Sequence, residues 1–172
     1  MATEAMVRIG ELTASRTPGD VLVSIGLGSC IGLALLDPPM TVAGLAHIML
    51  PASPYTEADS PGKYADLAVP ALVAEVERRG ARRAHLEAVL VGGARMFSFN
   101  SGAGLDIGAR NEVATREALA DLEIPVRCAA TGGTNGRTVR VLVEEAAVFV
   151  RESGTEPHEL YRSRFALEPR ES

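Results

Sequence analysis

Val21-Leu-Val-Ser-Ile-Gly-Leu-Gly-Ser-Cys30, followed by Ile31-Gly-Leu-Ala-Leu-Leu-Asp37 and then Thr41-Val-Ala-Gly-Leu-Ala-His47, is the stretch on which the reading of the chain turns. A run of Val, Leu and Ile that breaks into Gly26-Leu27-Gly28 has the pattern of a buried strand closed by a tight turn, and the turn delivers a cysteine. The next two runs are short and apolar. Asp37-Pro38-Pro39-Met40 between them has the composition of a turn joining two strands. Strands apolar on each face are expected to be covered on both sides. A turn centred between Pro38 and Pro39 sets Cys30 directly opposite His47, and opposed antiparallel residues point to one face. A bulge would shift the register by one and turn the two side chains apart.

A thiolate is the reactive form of cysteine, and a neighbouring imidazole can take its proton. Glycines at 26, 28 and 32 leave the backbone around the sulfur uncovered, open to a substrate and to N–H donors. The same residue types also suit a cysteine packed as a small apolar side chain beside a satisfied core histidine. The Gly-x-Gly-Ser-Cys context and the opposed register favour the reactive pair. By itself such a pair does not distinguish amide, ester or thioester chemistry.

Working outward, 172 residues with 47% hydrophobic composition suit one domain with a sizeable core. A net charge of −5 and a pI of 5.3, with no Lys/Arg block, argue against a nucleic-acid partner. Cys30 and Cys128 make no disulfide framework, and no Cys/His cluster has metal-ligand spacing, so neither metal nor cofactor is expected. No basic-then-apolar leader and no bilayer-length apolar run is present, which points to a cytoplasmic chain without membrane insertion. Met6–Leu12 reads as a first strand. Ser60-Pro61 reads as the cap and first turn of a helix through Val76, with Pro70 inside and Gly80 closing it. A strand ends at Gly92-Gly93, Asn111 reads as the cap of a second helix reaching Leu122, and Val126–Thr131 is a short strand. Residues 139–144 and 147–152 form a hairpin-like pair. Cys128, His85 and His158 read as structural or solvent-facing.

Two phosphate-binding readings fail. Gly26-x-Gly28-x-x-x-Gly32 lacks the long helix of a dinucleotide fingerprint before Pro38, and Thr131–Thr138 lacks Gly-Lys-Ser/Thr. The chain is thus expected to be α+β, a single-domain layered sandwich of mixed, largely antiparallel β-sheet packed with two main helices. The domain covers 1–152, and 153–172 form a charged C-terminal tail.

Gly26-Leu-Gly-Ser-Cys30, Ala46-His47-Ile-Met-Leu-Pro51, Pro61-Gly-Lys-Tyr-Ala-Asp66, Gly92-Gly-Ala-Arg-Met-Phe97, Ile107-Gly-Ala-Arg-Asn111 and Thr131-Gly-Gly133 closely resemble the CheD family, in the same order and over nearly the whole chain. The resemblance implies a fold similar to cysteine-hydrolase-type deamidases and an activity that converts chemoreceptor glutamines to glutamate. It places the nucleophile on Cys30 and the base on His47. The family's third residue is a threonine, and that position here is Ser24, which keeps the hydroxyl and loses the methyl that restricts χ1. Backbone donors around Gly28 and Ser29 would hold the oxyanion. The implied partners are the cytoplasmic part of methyl-accepting receptors and the chemotaxis phosphatase CheC. Hydrolysis of receptor glutamate methyl esters is a further implied activity, and a non-catalytic CheC-binding module is the alternative. Met96, Phe97 and Phe99 are weaker substrate-side candidates.

Overall fold

The computed structural model describes residues 3–54, 60–96 and 106–167, so Phe97 and Phe99 lie outside the described residues. The three apolar runs are strands β3 (Val21–Leu27), β4 (Ile31–Asp37) and β5 (Val42–Ile48). Around them stand β1 (Glu4–Met6), β2 (Leu12–Ser15), β6 (Glu87–Gly92), β7 (Val126–Thr131), β8 (Arg137–Leu142), β9 (Ala147–Glu152) and β10 (His158–Arg162). They form two five-stranded sheets, ordered β1-β3-β8-β9-β10 and β2-β5-β4-β6-β7. Among the ten described strands, β1 with β3 and β6 with β7 pair in parallel and the other pairs are antiparallel, so the sheets are mixed and largely antiparallel.

Two helices, α1 (Ala65–Arg78) and α2 (Ile107–Asp121), cover the outer face of the second sheet. Every residue of β4 and β5 is therefore buried: one face packs on the helices, the other on the first sheet. Helix α1 presents Ala65, Ala68, Val69, Leu72, Val73 and Val76 to that sheet, and burying one such leucine contributes about 1.5–3 kcal/mol. Its exposed Pro70 lies on the solvent side, so the amide it lacks costs no buried bond. Gly80, at φ +106, ends the helix as expected.

Four expectations change. Ser60-Pro61 opens a separate 3-10 turn, Pro61–Lys63, and α1 starts at Ala65 behind Tyr64, because Tyr64 is extended and breaks the helical run. Met6–Leu12 is not one strand: Met6 ends β1 in the first sheet and Leu12 begins β2 in the second, with 7–11 crossing between sheets through a turn at Gly10 (φ +82). Helix α2 begins earlier than expected, because Asp106 accepts from Ala109 N at 3.0 Å and is its cap. Asn111 lies inside that helix. The charged segment from Ser153 contains β10, which extends the first sheet by pairing with β9. No helix of the described residues is long and apolar enough to cross a membrane.

Candidate active site

The β4–β5 ladder pairs Gly32, not Cys30, with His47. The turn is longer than the two prolines suggest: Thr41 adopts φ +55 and donates its N–H to Pro38 O at 3.2 Å, while Asp37 Oδ1 holds Met40 N at 3.2 Å. Asp37 therefore pairs with Val42. Cys30 precedes Gly32 by one strand period and stays on the face of His47. Its side chain joins Leu27, Ala34, Leu45 and Val139 in the layer between the sheets. Diagonal neighbours across a ladder lie about 7–8 Å apart, and His47 Nε2 is buried with no hydrogen-bond partner among the described residues.

The other ring nitrogen is tethered. Val7 O lies 3.1 Å from His47 Nδ1 and accepts from Ser24 Oγ at 2.7 Å. A carbonyl only accepts, so in the neutral ring Nδ1 carries the proton and Nε2 offers its lone pair. The crossing segment also clasps the backbone of His47, through Gly10 N to His47 O at 2.9 Å and His47 N to Glu11 O at 3.0 Å. Burial pushes the His47 pKa below the ordinary imidazole range, opposed by the Val7 bond and the Glu11 charge. Burial raises that of the Cys30 thiol. Both shifts favour the uncharged thiol and the neutral imidazole over a thiolate–imidazolium pair.

The cysteine loop is stitched to the end of β6. Ala94 N donates to Gly28 O and Gly93 N to Cys30 O, both at 2.8 Å. Gly92 makes this approach possible: at φ +113, a Cβ there would sit 2.2 Å from Cys30 O. The N–H groups of Gly28, Ser29 and Cys30 bond to no other described residue. Cys30 keeps 9% of its surface exposed, against 3% for His47. Met96, packed on Gly28, and Met49, two residues beyond His47, are exposed apolar side chains close to these segments, whereas Ile25, next to the inward-facing Ser24, lines a separate groove with Thr138, Arg151 and Gly154. No group of three or more His, Cys, Asp or Glu among the described residues is placed to hold a metal ion.

The family model for CheD chemotactic sensory transduction matches residues 49–152. A protein of Symbiobacterium thermophilum named probable chemoreceptor glutamine deamidase CheD is 45% identical over 157 residues, 90% of this chain and 95% of that protein. The protein of the same name from Clostridium novyi is 40% identical over 153 residues, 88% of this chain and 94% of that one. The chain belongs to the CheD family. Among solved structures, Neisseria meningitidis protein NMB0706 aligns with a TM-score of 0.48 at 11% identity, covering 77% of this chain and 64% of that one.

In this CheD-family chain, Ser24 and His47 meet at the Val7 carbonyl, Cys30 lies on the same face of the sheet as His47, and Gly28 and Ser29 precede it in the loop. Sequence reasoning missed three supports of the site. Val7 contributes only a carbonyl, which carries no side-chain signature. Arg137, buried in β8, donates through Nη1 to Gly132 O at 2.8 Å and Gly92 O at 3.2 Å, and pairs with Glu152 at 3.0 Å. Asn111, fully buried, donates through Nδ2 to Ser29 O at 2.9 Å and Met49 O at 3.0 Å. The signal for Asn111 was its place on one helical stripe with Ile107, Thr115 and Leu119, where an amide is out of keeping with plain packing.

Proposed function

We propose that the chain deamidates glutamine side chains of chemoreceptors, with Cys30 as nucleophile, His47 as general base and acid, and Ser24 as a positioning residue. The supporting observation is that Cys30 and His47 share one face, with the His47 Nδ1 proton directed at Val7 O and Nε2 without a partner among the described residues. In this mechanism Nε2 takes the thiol proton as Sγ attacks the carboxamide carbon. N–H groups of the Gly28–Cys30 loop, which bond to no other described residue, hold the developing oxyanion; one such donor is typically worth ~2.7–4 kcal/mol of barrier. The imidazolium returns its proton to the departing nitrogen, the C–N bond breaks, and ammonia leaves a thioester on Cys30. Water, activated by the same nitrogen, attacks the thioester and restores thiol and glutamate. The acyl-enzyme equally serves hydrolysis of receptor glutamate methyl esters.

The substrate class rests on the names of the relatives and on the exposed apolar Met49 and Met96 near the histidine strand and the cysteine loop, which suit a protein surface better than a small polar molecule. The proposal takes the cytoplasm as the place of the reaction and the phosphatase CheC as a regulating partner. Incubation of a cytoplasmic receptor fragment with the protein, followed by peptide mass mapping, tests the activity. Glutamine-to-glutamate conversion at discrete positions is expected; a folded protein that converts none contradicts the reading.

A further inference from the structure

We infer that Asn111 is a positioning residue of the reaction, the cross-tie that holds the nucleophile loop and the end of the histidine strand at a fixed separation. The inference rests on Cys30 and His47 being the reacting pair. Both amide hydrogens of Asn111 are spent on that task, one on Ser29 O, immediately before the cysteine, and one on Met49 O, two residues beyond the histidine. The amide orientation is unambiguous, since a flip would set Oδ1 against two carbonyl oxygens. Asn111 Oδ1 is buried without a partner among the described residues, so the residue bears a desolvation cost that plain packing would avoid.

The helix that carries Asn111 is itself pressed onto the other side of the loop. Gly108, one turn earlier, has no room for a side chain: a Cβ would lie 2.5 Å from Ala94 O and 2.6 Å from Gly93 O. Gly93 and Ala94 in turn bond Cys30 O and Gly28 O. Ser29 is thus gripped by Asn111 while its two neighbours are gripped by 93–94, and all the grips originate on or against the first turns of α2. Cys30 and His47 sit diagonally and not in direct opposition, so their separation depends on how the segments that bear them are tied.

The test compares wild type with Asn111→Ala, Asn111→Asp (same shape, no amide donor) and Thr115→Val. Thr115 Oγ1 donates to Asn111 O at 2.8 Å inside the helix, and among the described residues its side chain makes no hydrogen bond to either loop, so its loss removes a bond internal to α2. In both Asn111 variants kcat for receptor deamidation is expected to fall roughly 10- to 100-fold with KM held within about twofold, while Thr115→Val lowers the melting temperature and keeps kcat. Alkylation of Cys30 by iodoacetamide, read without receptor, is expected to speed up in the Asn111 variants and not in Thr115→Val. Unchanged alkylation and kcat in a folded Asn111 variant overturns the inference, as does failure of both variants to fold, which would make Asn111 a residue of stability alone. Faster alkylation with no deamidation even by wild type would leave the cross-tie standing and remove the receptor as substrate.

Discussion

Ser24 and His47 hydrogen-bond the same carbonyl oxygen, that of Val7, at 2.7 and 3.1 Å. The hydroxyl therefore reaches the imidazole through a shared acceptor. It fixes the carbonyl in the crossing segment, and the carbonyl fixes the ring tautomer. Removing the hydroxyl in Ser24→Ala leaves that carbonyl held by the imidazole alone, and kcat for deamidation is expected to drop roughly tenfold. Ser24→Thr keeps the donor and is expected to keep the rate. Equal rates for all three forms would take Ser24 out of the mechanism.

The pH dependence follows from burial of the imidazole. Protonating His47 removes the base, and burial holds its pKa below the ordinary value near ~6.5. The acid limb of kcat/KM should therefore fall below that value. In stability the sign is the same: the buried neutral ring contributes fully above the ordinary pKa, and the contribution is lost as pH falls through the folded one. The Glu11 charge opposes the shift, so Glu11→Gln should move the limb further toward acid. A limb above the ordinary imidazole value, or one that Glu11→Gln moves upward, would contradict this.

Gly92→Ala tests the stitching of the cysteine loop. The position combines φ +113 with a Cβ site 2.2 Å from Cys30 O, so the variant must either strain its backbone or push that carbonyl away from Gly93 N. A positive-φ penalty of about 1–3 kcal/mol is expected as a lower melting temperature, with a fall in kcat beyond it. A variant of unchanged stability and rate would show that the approach is not needed.

Docking and chemistry should separate at Met96, which is 45% exposed and packs on Gly28. Met96→Glu is expected to leave the melting temperature nearly unchanged and to raise KM for a receptor fragment roughly fivefold or more, with kcat retained. A fall in kcat at constant KM would place Met96 in the chemistry instead.

Much of this was legible in the sequence because the governing signals are local. Apolar runs interrupted by Gly-x-Gly and by Asp-Pro-Pro mark β3, β4 and β5, and the i, i+3, i+4 pattern after Pro61 marks α1. The register of the hairpin was not legible, since it depends on Thr41 entering a left-handed conformation that its β-branched side chain disfavours. The two-residue difference nonetheless kept Cys30 on the face of His47, where a one-residue slip would have reversed it. Asn111 was misread because asparagine caps helices so readily, and Asp106 already fills that role. The Val7 carbonyl and the pairing of β10 belong to tertiary structure, where a backbone acceptor or a charged edge strand leaves no pattern to read.

The most direct measurement is capture of the acyl-enzyme. A receptor fragment is mixed with wild type, quenched in acid, and the Cys30 peptide is analysed by mass spectrometry. The expected result is a receptor glutamyl thioester on Cys30, formed with loss of ammonia, released by hydroxylamine as the hydroxamate, and absent in His47→Ala. Glutamine conversion that continues at the wild-type rate in Cys30→Ala, with no adduct at that sulfur in any form, would contradict a mechanism built on Cys30 and His47.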